Sequence, residues 1–313
     1  MAQYLALSGG VGGAKLALGL THLLTPDELT FVVNTGDDFE HYGLHVAPDL
    51  DTLMYTLSGL ANGDTGWGRA GESWQCLDTL ATLGGENWFR LGDRDLAVHL
   101  ERSARLRAGH SLSAVTAHLY RAVGIRHRAV PMSDQPVRTL VHSEVGTVAF
   151  QHCVVRERCR PRVFGFSFDG AATARPAPGV EALLQARDLR GVIICPSNPF
   201  LSIDPILAVP GLRQALIDCA APVIAVSPIV AGAALKGPTA KIMQELALPL
   251  SASTVAAHYA DVIDGFIVDD CDRDLVAQLA SARLRVCAAQ CVMTTLDDRI
   301  NLAHTALELL ASC

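Results

Sequence analysis

A glycine-rich loop near the start of the chain is the first candidate for chemistry. It follows an apolar run and precedes leucines at helical spacing, so the sequence predicts a strand, a tight turn and a helix. Such a turn directs backbone N–H groups and the positive end of a helix at one point, which favours phosphate. Glycines let phosphate oxygens approach the backbone, and a lysine adds charge. The predicted phosphate-binding residues are Ser8, Gly9, Gly10, Gly12, Gly13 and Lys15.

The loop matches neither of the two common nucleotide-binding motifs. Lys15 is followed by Leu16, so the pattern G-x-x-x-x-G-K-[ST] is absent. Lys15 also stands where the dinucleotide fingerprint requires its third glycine. Phosphate binding therefore competes with an ordinary glycine-rich turn between a strand and a helix.

Acidic residues cluster after the second predicted strand and at the start of the next helix. Mg²⁺ takes one or two carboxylates together with phosphate oxygens and water. Asp38, at the strand end, and Asp51, in the first helical turn, could converge on such an ion, so both are predicted metal ligands. Either could also accept a proton in catalysis. Asp49 is interpreted as the N-cap of the helix, and Asp37 stands beside Asp38.

Two loops after later strands are predicted to line the same crevice, because carboxyl ends of parallel strands meet at one edge. The first contains Ser197 and Asn198 between two prolines, and the second covers residues 227–232. Ser197 and Asn198 are predicted to join the phosphate site. Ordinary turn chemistry is the alternative interpretation of this pair.

A basic and aromatic segment offers a site of another kind. Arg90, next to Trp88 and Phe89, could hold an anionic or flat ring ligand, although a solvated helix start is the simpler interpretation. Lys236 and Lys241 are interpreted as surface residues at a helix start. The 11 histidines form no triad pattern and are interpreted as structural, including His41 and His45.

The elements that must position these residues alternate along the chain. Apolar runs at 5–7, 29–33, 191–195, 222–226 and 265–268 are separated by helical segments. This alternation predicts an α/β fold, a Rossmann-like, mostly parallel sheet with helices on both faces. Strand-like runs at 137–142 and 147–155 indicate a hairpin.

The predicted secondary structure changes between residues 61 and 124. Strand-like runs vanish there, and helices are predicted at 72–83, 95–108 and 111–123. The sequence therefore predicts an inserted helical subdomain, 61–124, within an α/β core formed by residues 1–60 and 125–313.

Composition excludes several classes of protein. A net charge of −7 disfavours nucleic acid as a general partner. The most apolar late stretch is broken by prolines and glycine, so no membrane span is expected. Nine cysteines without C-x-x-C spacing, and no signal-peptide pattern, predict reduced thiols and a cytoplasmic protein.

Several sequence blocks, in order and nearly end to end, resemble the family of 2-phospho-L-lactate transferases (CofD/FbiA type), which act in making coenzyme F-420. Taken together the blocks are highly specific, whereas any one alone would not be. They are Ser8 to Leu16, Val33 to Asp38, Pro48 to Thr52, Leu91 to Asp95, Pro131 to Asp134, Pro196 to Pro199 and Ser227 to Val230.

The resemblance implies a dimeric, Mg²⁺-dependent transferase. The deazaflavin alcohol FO would attack a guanosine diphosphate-linked three-carbon phospho-acid, supplied by a partner guanylyltransferase, and GMP would leave. The resemblance places FO near Asp51 and Arg90. Phospholactate, phosphoenolpyruvate-derived and phosphoglycerate-derived donors stay open, because the first loop here differs from the T-G-T-P-K of archaeal members.

Two other functions remain as alternatives. A non-catalytic nucleotide-sugar-binding regulator on the same fold would share the first loop and the sheet. A nicotinamide-dependent oxidoreductase is less compatible, because the third fingerprint glycine is missing.

Overall fold

The computed structural model describes residues 3–63, 66–234 and 237–313. Within these ranges strands and helices alternate over most of the chain. The strands are β1 (Gln3–Ser8), β2 (Leu29–Val33), β3 (Phe39–His41), β4 (Leu44–Val46), β5 (Arg128–Pro131), β6 (Arg138–Ser143), β7 (Gly146–Ala149), β8 (Val163–Asp169), β9 (Leu189–Ile194), β10 (Val223–Val226), β11 (Ile229–Val230), β12 (Ala233–Ala234), β13 (Gly265–Asp269) and β14 (Arg285–Ala289). The helices are α1 (Gly10–Leu23), α2 (Pro48–Leu57), α3 (Gln75–Thr82), α4 (Asp93–Arg107), α5 (Leu112–Ala122), α6 (Val180–Leu184), α7 (Asp204–Leu207), α8 (Leu212–Ile217), α9 (Thr239–Glu245), α10 (Ala252–His258), α11 (Leu275–Leu279) and α12 (Leu296–Ser312).

Seven parallel strands form the central sheet in the order β5-β2-β1-β9-β10-β13-β14. The strand order reverses between β1 and β9, which are direct neighbours: Leu7 pairs with Ile194. In an open α/β sheet this reversal opens a crevice at the carboxyl ends of the two strands. The predicted α/β fold, a Rossmann-like parallel sheet, is confirmed.

Both faces of the sheet are covered, which explains why its central strands are apolar throughout. On one face, α1, α2, α5 and α12 contribute to a continuous cluster of buried apolar side chains. On the other face, α6, α7, α8 and α10 do the same. Each fully buried leucine or isoleucine in these clusters contributes roughly 1.5–3 kcal/mol. The carboxyl edge of the sheet is therefore supported by packed apolar side chains on both faces.

The segment between β4 and β5 contains the three predicted helices, α3, α4 and α5. Leu119 and Tyr120 of α5 are buried in the same apolar cluster as α1 and α2, whereas α3 buries no residue. The boundaries of a separate subdomain stay a prediction, because α5 shares its core with the sheet.

Two acidic side chains connect the starts of α3 and α4, because each accepts hydrogen bonds from the backbone of the other helix. The carboxylate of Asp93 accepts hydrogen bonds from the N–H groups of Gln75 and Cys76, at the start of α3. The carboxylate of Glu72 accepts from the N–H groups of Arg94 and Asp95, at the start of α4. Each acid therefore satisfies the free amides of the other helix. Asp93 is itself the first residue of α4, and Gly92 holds the N-cap position.

A second, antiparallel sheet follows β5, in the order β7-β6-β8. It contains the predicted hairpin, which turns between Ser143 and Gly146. The predicted second strand, 147–155, is too long: the strand ends at Ala149, and His152–Arg156 form a helical turn that buries Cys153. Apolar runs of this length fit either conformation.

All nine cysteines lie among the described residues and carry free thiols. In the described part of the chain, no helix has both the length and the apolarity needed to cross a membrane.

Candidate active site

The glycine-rich loop lies at the sheet reversal, between the end of β1 and the first turn of α1. The N–H of Gly9 donates to Ser197 Oγ at 3.2 Å, and the N–H of Gly10 donates to Asp49 Oδ1 at 2.8 Å. Gly10 has φ +65°, and a Cβ there would meet no atom within 4 Å. The glycine-rich loop is therefore hydrogen-bonded both to the loop after β9 and to α2. Its open side is at Gly10.

The other loop glycines are needed for contacts within the protein. A Cβ on Gly12 would lie less than 3.0 Å from the carbonyl oxygen of Pro196, and one on Gly13 would crowd the hydroxyls of Ser8 and Ser197. The expectation that these glycines clear the way for phosphate oxygens is therefore incomplete. They first allow the start of α1 to press against the loop after β9.

Asp49 does not cap α2, contrary to the sequence interpretation. Pro48 is the first helical residue, so Ala47 occupies the N-cap position. The Asp49 carboxylate turns instead to the N–H of Gly10 and to the amide of Asn34, 2.9 Å away. Burial raises its pKa to about 6, although both hydrogen bonds oppose the shift.

Asn34, at the end of β2, connects the loops around the crevice. Its Nδ2 group shares two hydrogens among three acceptors, Asp37 Oδ1 at 3.1 Å, Asp49 Oδ2 and the carbonyl of Leu201. Its Oδ1 accepts from the N–H of Gly36 at 2.8 Å. Asn34 is 1% exposed, so the crevice wall depends on one buried amide that contacts four polar groups.

Three buried carboxylates stand together beside this amide: Asp37, Asp38 and Asp49. Burial, and then the charges of Asp49 and Asp38, raise the pKa of Asp37 well above its ordinary value. Asp38 Oδ2 lies 2.9 Å from His45 Nε2, while its buried Oδ1 has no partner in the described protein. An orphaned carboxylate oxygen among buried acids is suited to a hard cation.

Asp51 lies in a second buried cluster, on the side of α2 that faces α4. Both of its oxygens accept hydrogen bonds from the guanidinium of Arg102, one of them at 3.1 Å. His99 Nδ1 lies 3.7 Å from Asp51, and His99 Nε2 lies 3.4 Å from Asp95. Ligand atoms of Asp51, Asp95 and His99 all lie within 4.8 Å of one another, so these three could also hold a metal ion.

The predicted acids Asp38 and Asp51 therefore have different surroundings. Asp38 belongs to the carboxylate group at Asn34, and Asp51 is paired with Arg102. The two are linked through His45, whose imidazole contacts Asp38 and whose carbonyl accepts from Arg102 at 3.3 Å. Sequence analysis missed Arg102 and His99. Their signal is the spacing of Asp95, His99 and Arg102, which places three polar groups along one face of α4.

The remaining predicted residues have partners of their own. Lys15 Nζ donates to the carbonyl of Met293 at 2.6 Å. Asn198 Oδ1 accepts from the N–H groups of Phe200 and Leu201, and its Nδ2 donates to Thr239, so it performs the turn chemistry of the simpler interpretation. Ser197 remains in the crevice, bonded to Gly9.

The two lysines after the later loops have separate outcomes. Lys241 pairs with Glu245 one turn along α9. Lys236 lies outside the described residues.

Arg90 lies in the segment between α3 and α4. Its guanidinium stacks over the ring of Trp74, 4.3 Å from the centroid. Near this segment a cavity of about 190 Å³ opens between the β3–β4 hairpin, α3 and α4. His41, 4% exposed, is on its wall, and the Nε2 atom of His41 has no partner among the described residues. The other lining residues are mostly apolar: Tyr42, Leu44, Cys76, Leu77, Leu80, Leu91 and Leu96.

Comparison with solved structures gives the same fold. Two crystal structures of protein BH3568 from Bacillus halodurans, described in one case as a member of the UPF0052 family, match with TM-scores of 0.62 and 0.63. They cover 97–98% of this chain and 99% of their own, at 13–14% sequence identity. Identity this low shows the fold alone.

Sequence comparison is more specific. A phosphoenolpyruvate transferase of Kitasatospora aureofaciens is 43% identical and covers 98% of this chain and 97% of its own. Those of Streptomyces griseus and Thermobifida fusca are 40% and 39% identical, over 98% and 88% of both chains. The family model described as 2-phospho-L-lactate transferase CofD matches residues 5–300. The chain therefore belongs to the CofD family of transferases.

Proposed function

We propose that this protein transfers a phosphoenolpyruvyl group from a guanosine diphosphate-linked donor to the ribityl hydroxyl of FO, releasing GMP, in coenzyme F-420 biosynthesis. Relatives 37–43% identical to the chain are named phosphoenolpyruvate transferases, which favours phosphoenolpyruvate over phospholactate or phosphoglycerate. The observation that carries the proposal is the Asp49 bridge. It joins the first amide of α1 to Asn34 and so brings the phosphate loop and the buried acids to one crevice.

The donor diphosphate is proposed to bind at the sheet reversal. The open side of the loop is at Gly10, and Ser8, Gly9, Gly12 and Gly13 are the neighbouring loop residues proposed to bind phosphate. The remaining N–H groups of the first turn of α1 contribute positive potential there, although Asp49 already accepts a hydrogen bond from the N–H of Gly10. Ser197 and Asn198 form the opposite wall. Lys15 would have to leave the Met293 carbonyl to reach a phosphate.

Mg²⁺ is the proposed cofactor, with Asp38 and Asp51 as its ligands. The residues fit such an ion best at Asp38, whose buried Oδ1 has no partner among the described residues and whose neighbours are two further carboxylates. When bound, Mg²⁺ would neutralise charge on the diphosphate and on the departing GMP. Arg102 donates one hydrogen bond to each oxygen of Asp51, so Asp51 would bind the ion through the lone pairs that Arg102 leaves free.

The acceptor is proposed to approach from the side of α4. The cavity between the β3–β4 hairpin, α3 and α4 offers apolar walls and one unpartnered imidazole nitrogen for a flat ring. Arg90, stacked on Trp74, and Asp51 are the proposed FO contacts. In the reaction, the hydroxyl oxygen of FO bonds to phosphorus, the bond from phosphorus to the GMP oxygen breaks, and Asp51 or Asp38 accepts the hydroxyl proton. Positioning and charge stabilisation supply most of the acceleration.

Two further components belong to the proposal. A guanylyltransferase supplies the donor, and the enzyme is a homodimer. Neither nucleic acid nor a membrane has a part in it, and the expected location is the cytoplasm.

A mass-spectrometric assay tests the proposal. The protein is incubated with FO, Mg²⁺, GTP, a guanylyltransferase and either phosphoenolpyruvate, phospholactate or phosphoglycerate. We expect an FO adduct and GMP with phosphoenolpyruvate, and a loss of turnover in Asp38→Asn and Asp51→Asn. Asp218→Asn, which changes an exposed acid at the C-cap of α8, is the matched control.

Two results would contradict it. Donor binding without any adduct would favour the regulatory alternative. Full turnover and unchanged Mg²⁺ dependence in Asp51→Asn would remove Asp51 from the site.

A further inference from the structure

The α4 helix buries several polar residues that have no role in the reaction proposed above. His99, Arg102 and Ser103 are each 4% exposed or less, and Arg102 is the bulkiest of the fully buried side chains. A buried guanidinium is costly unless its charge and its N–H groups are satisfied. Replacement of a buried ion pair by apolar residues is often neutral for stability, so this pair calls for a reason other than stability.

Arg102 satisfies its donors on groups next to both proposed catalytic acids. Its two terminal nitrogens donate to the two oxygens of Asp51. One of them also donates to the carbonyl of His45 at 3.3 Å and lies 3.1 Å from His99 Nδ1. The planar fork of arginine fits a carboxylate in two places at once, and lysine cannot reproduce that geometry.

His45 extends this arrangement to the second acid. Its peptide is held by α4 on both sides, because its N–H donates to Ser103 Oγ at 2.7 Å and its carbonyl accepts from Arg102. Its imidazole Nε2 lies 2.9 Å from Asp38 Oδ2, which leaves Asp38 Oδ1 as the unpartnered oxygen. One helix face therefore fixes Asp51 directly and Asp38 through a single intermediate residue.

We propose that Arg102 is a positioning residue for the transfer reaction, which holds Asp51 directly and Asp38 through His45 in the orientation that binds a divalent cation and the reactants. The inference rests on the proposed function, because it assigns Arg102 a role through the two acids named there. Outer partners of this kind typically change metal affinity or activity by about 10- to 100-fold when they are lost.

The test compares Arg102→Lys with Arg105→Lys. Arg105 lies on the same helix, three residues further on, and makes only an exposed ion pair with Glu101 among its described ion pairs. Binding of Mn²⁺, measured by electron paramagnetic resonance without substrates, reports the acids independently of turnover. We expect Arg102→Lys to bind Mn²⁺ about 10- to 100-fold more weakly and to lose kcat by a similar factor. The donor KM should change little, and Arg105→Lys should match the wild type.

Chemical rescue separates positioning from mere folding. In Arg102→Ala, methylguanidinium should restore part of both kcat and Mn²⁺ binding, whereas methylammonium should not. If the Arg102 variants do not fold, His45→Ala removes the imidazole contact to Asp38 and leaves the Arg102–Asp51 pair intact. It should then weaken Mn²⁺ binding about tenfold or more.

The possible outcomes are distinct. Mn²⁺ affinity and kcat within threefold of wild type in a folded Arg102→Lys would overturn the inference. So would wild-type Mn²⁺ binding in His45→Ala, if that variant is the one that folds. A wild type that binds Mn²⁺ but transfers nothing would refute the proposed function, while the Mn²⁺ comparison would still decide the role of Arg102.

Discussion

Replacement of Gly12 by alanine tests the contact between α1 and the loop after β9. The new Cβ would stand less than 3.0 Å from the carbonyl oxygen of Pro196, which is a backbone atom that no side-chain rotation can move aside. Relief of such a clash shifts backbone and costs roughly 1–3 kcal/mol. Alanine recovers up to about 1 kcal/mol in a helix relative to glycine. With the full gain from alanine, the expected net loss of unfolding free energy is therefore about 0–2 kcal/mol, with about 1 kcal/mol at the centre of the range.

Two matched variants isolate the cause. Gly19→Ala makes the same change further along α1, where the Cβ would meet the carbonyl of Arg299, away from the crevice. Gly165→Ala, in β8, places its Cβ in open space. Urea unfolding should show a loss for Gly12→Ala and Gly19→Ala and none for Gly165→Ala. Calorimetric binding of GDP should weaken about tenfold, or 1.4 kcal/mol, in Gly12→Ala alone.

Two results would refute this reasoning. If Gly12→Ala unfolds like Gly165→Ala, the close approach at Pro196 does not exist in solution. If Gly12→Ala loses stability but binds GDP as the wild type does, the first turn of α1 does not line the donor site.

Three further predictions follow from other contacts. Burial raises the pKa of Asp49 to about 6 from the ordinary 3.8, so the folded protein holds a proton that the unfolded chain releases. Unfolding free energy should therefore fall as pH rises from about 4 to 6, by up to about 3 kcal/mol more in the wild type than in Asp49→Asn, as urea titrations at each pH would show. Asp93→Ala should accelerate amide hydrogen exchange at Gln75 and Cys76, while Asp78→Ala should not. Arg90→Met should weaken FO binding, followed by FO fluorescence, about three- to fivefold, and equal affinity would exclude the stacked guanidinium from the acceptor site.

The sheet was largely predictable, because its central strands carry a strong local signal. Runs such as 29–33 and 191–195 are apolar at nearly every position, as burial on both faces requires. The outermost strand β14 was missed. Its residues are only partly buried, and Arg285 begins it, so its composition resembles that of a loop.

The two acids of α2 show where prediction from the sequence ends. That Asp49 is not an N-cap could have been inferred, because Pro48 fits the first helical position and puts the cap at Ala47. Its bond to Gly10, 39 residues away, could not. The same is true of Asp51 and Arg102, separated by 51 residues. Helical spacing identifies the face on which a residue lies, whereas its partner depends on how the elements pack.

The exchange of acids between α3 and α4 bears on how this region opens. Because Glu72 and Asp93 each serve the other helix, neither helix start can fray without exposing amides of its neighbour. The two helix starts should therefore open and close as one cooperative unit. Asp95 and His99 lie in α4 just after this unit. A ligand that binds beside α3 and one that binds at Asp51 would therefore affect each other's affinity, because both would shift the same local unfolding equilibrium.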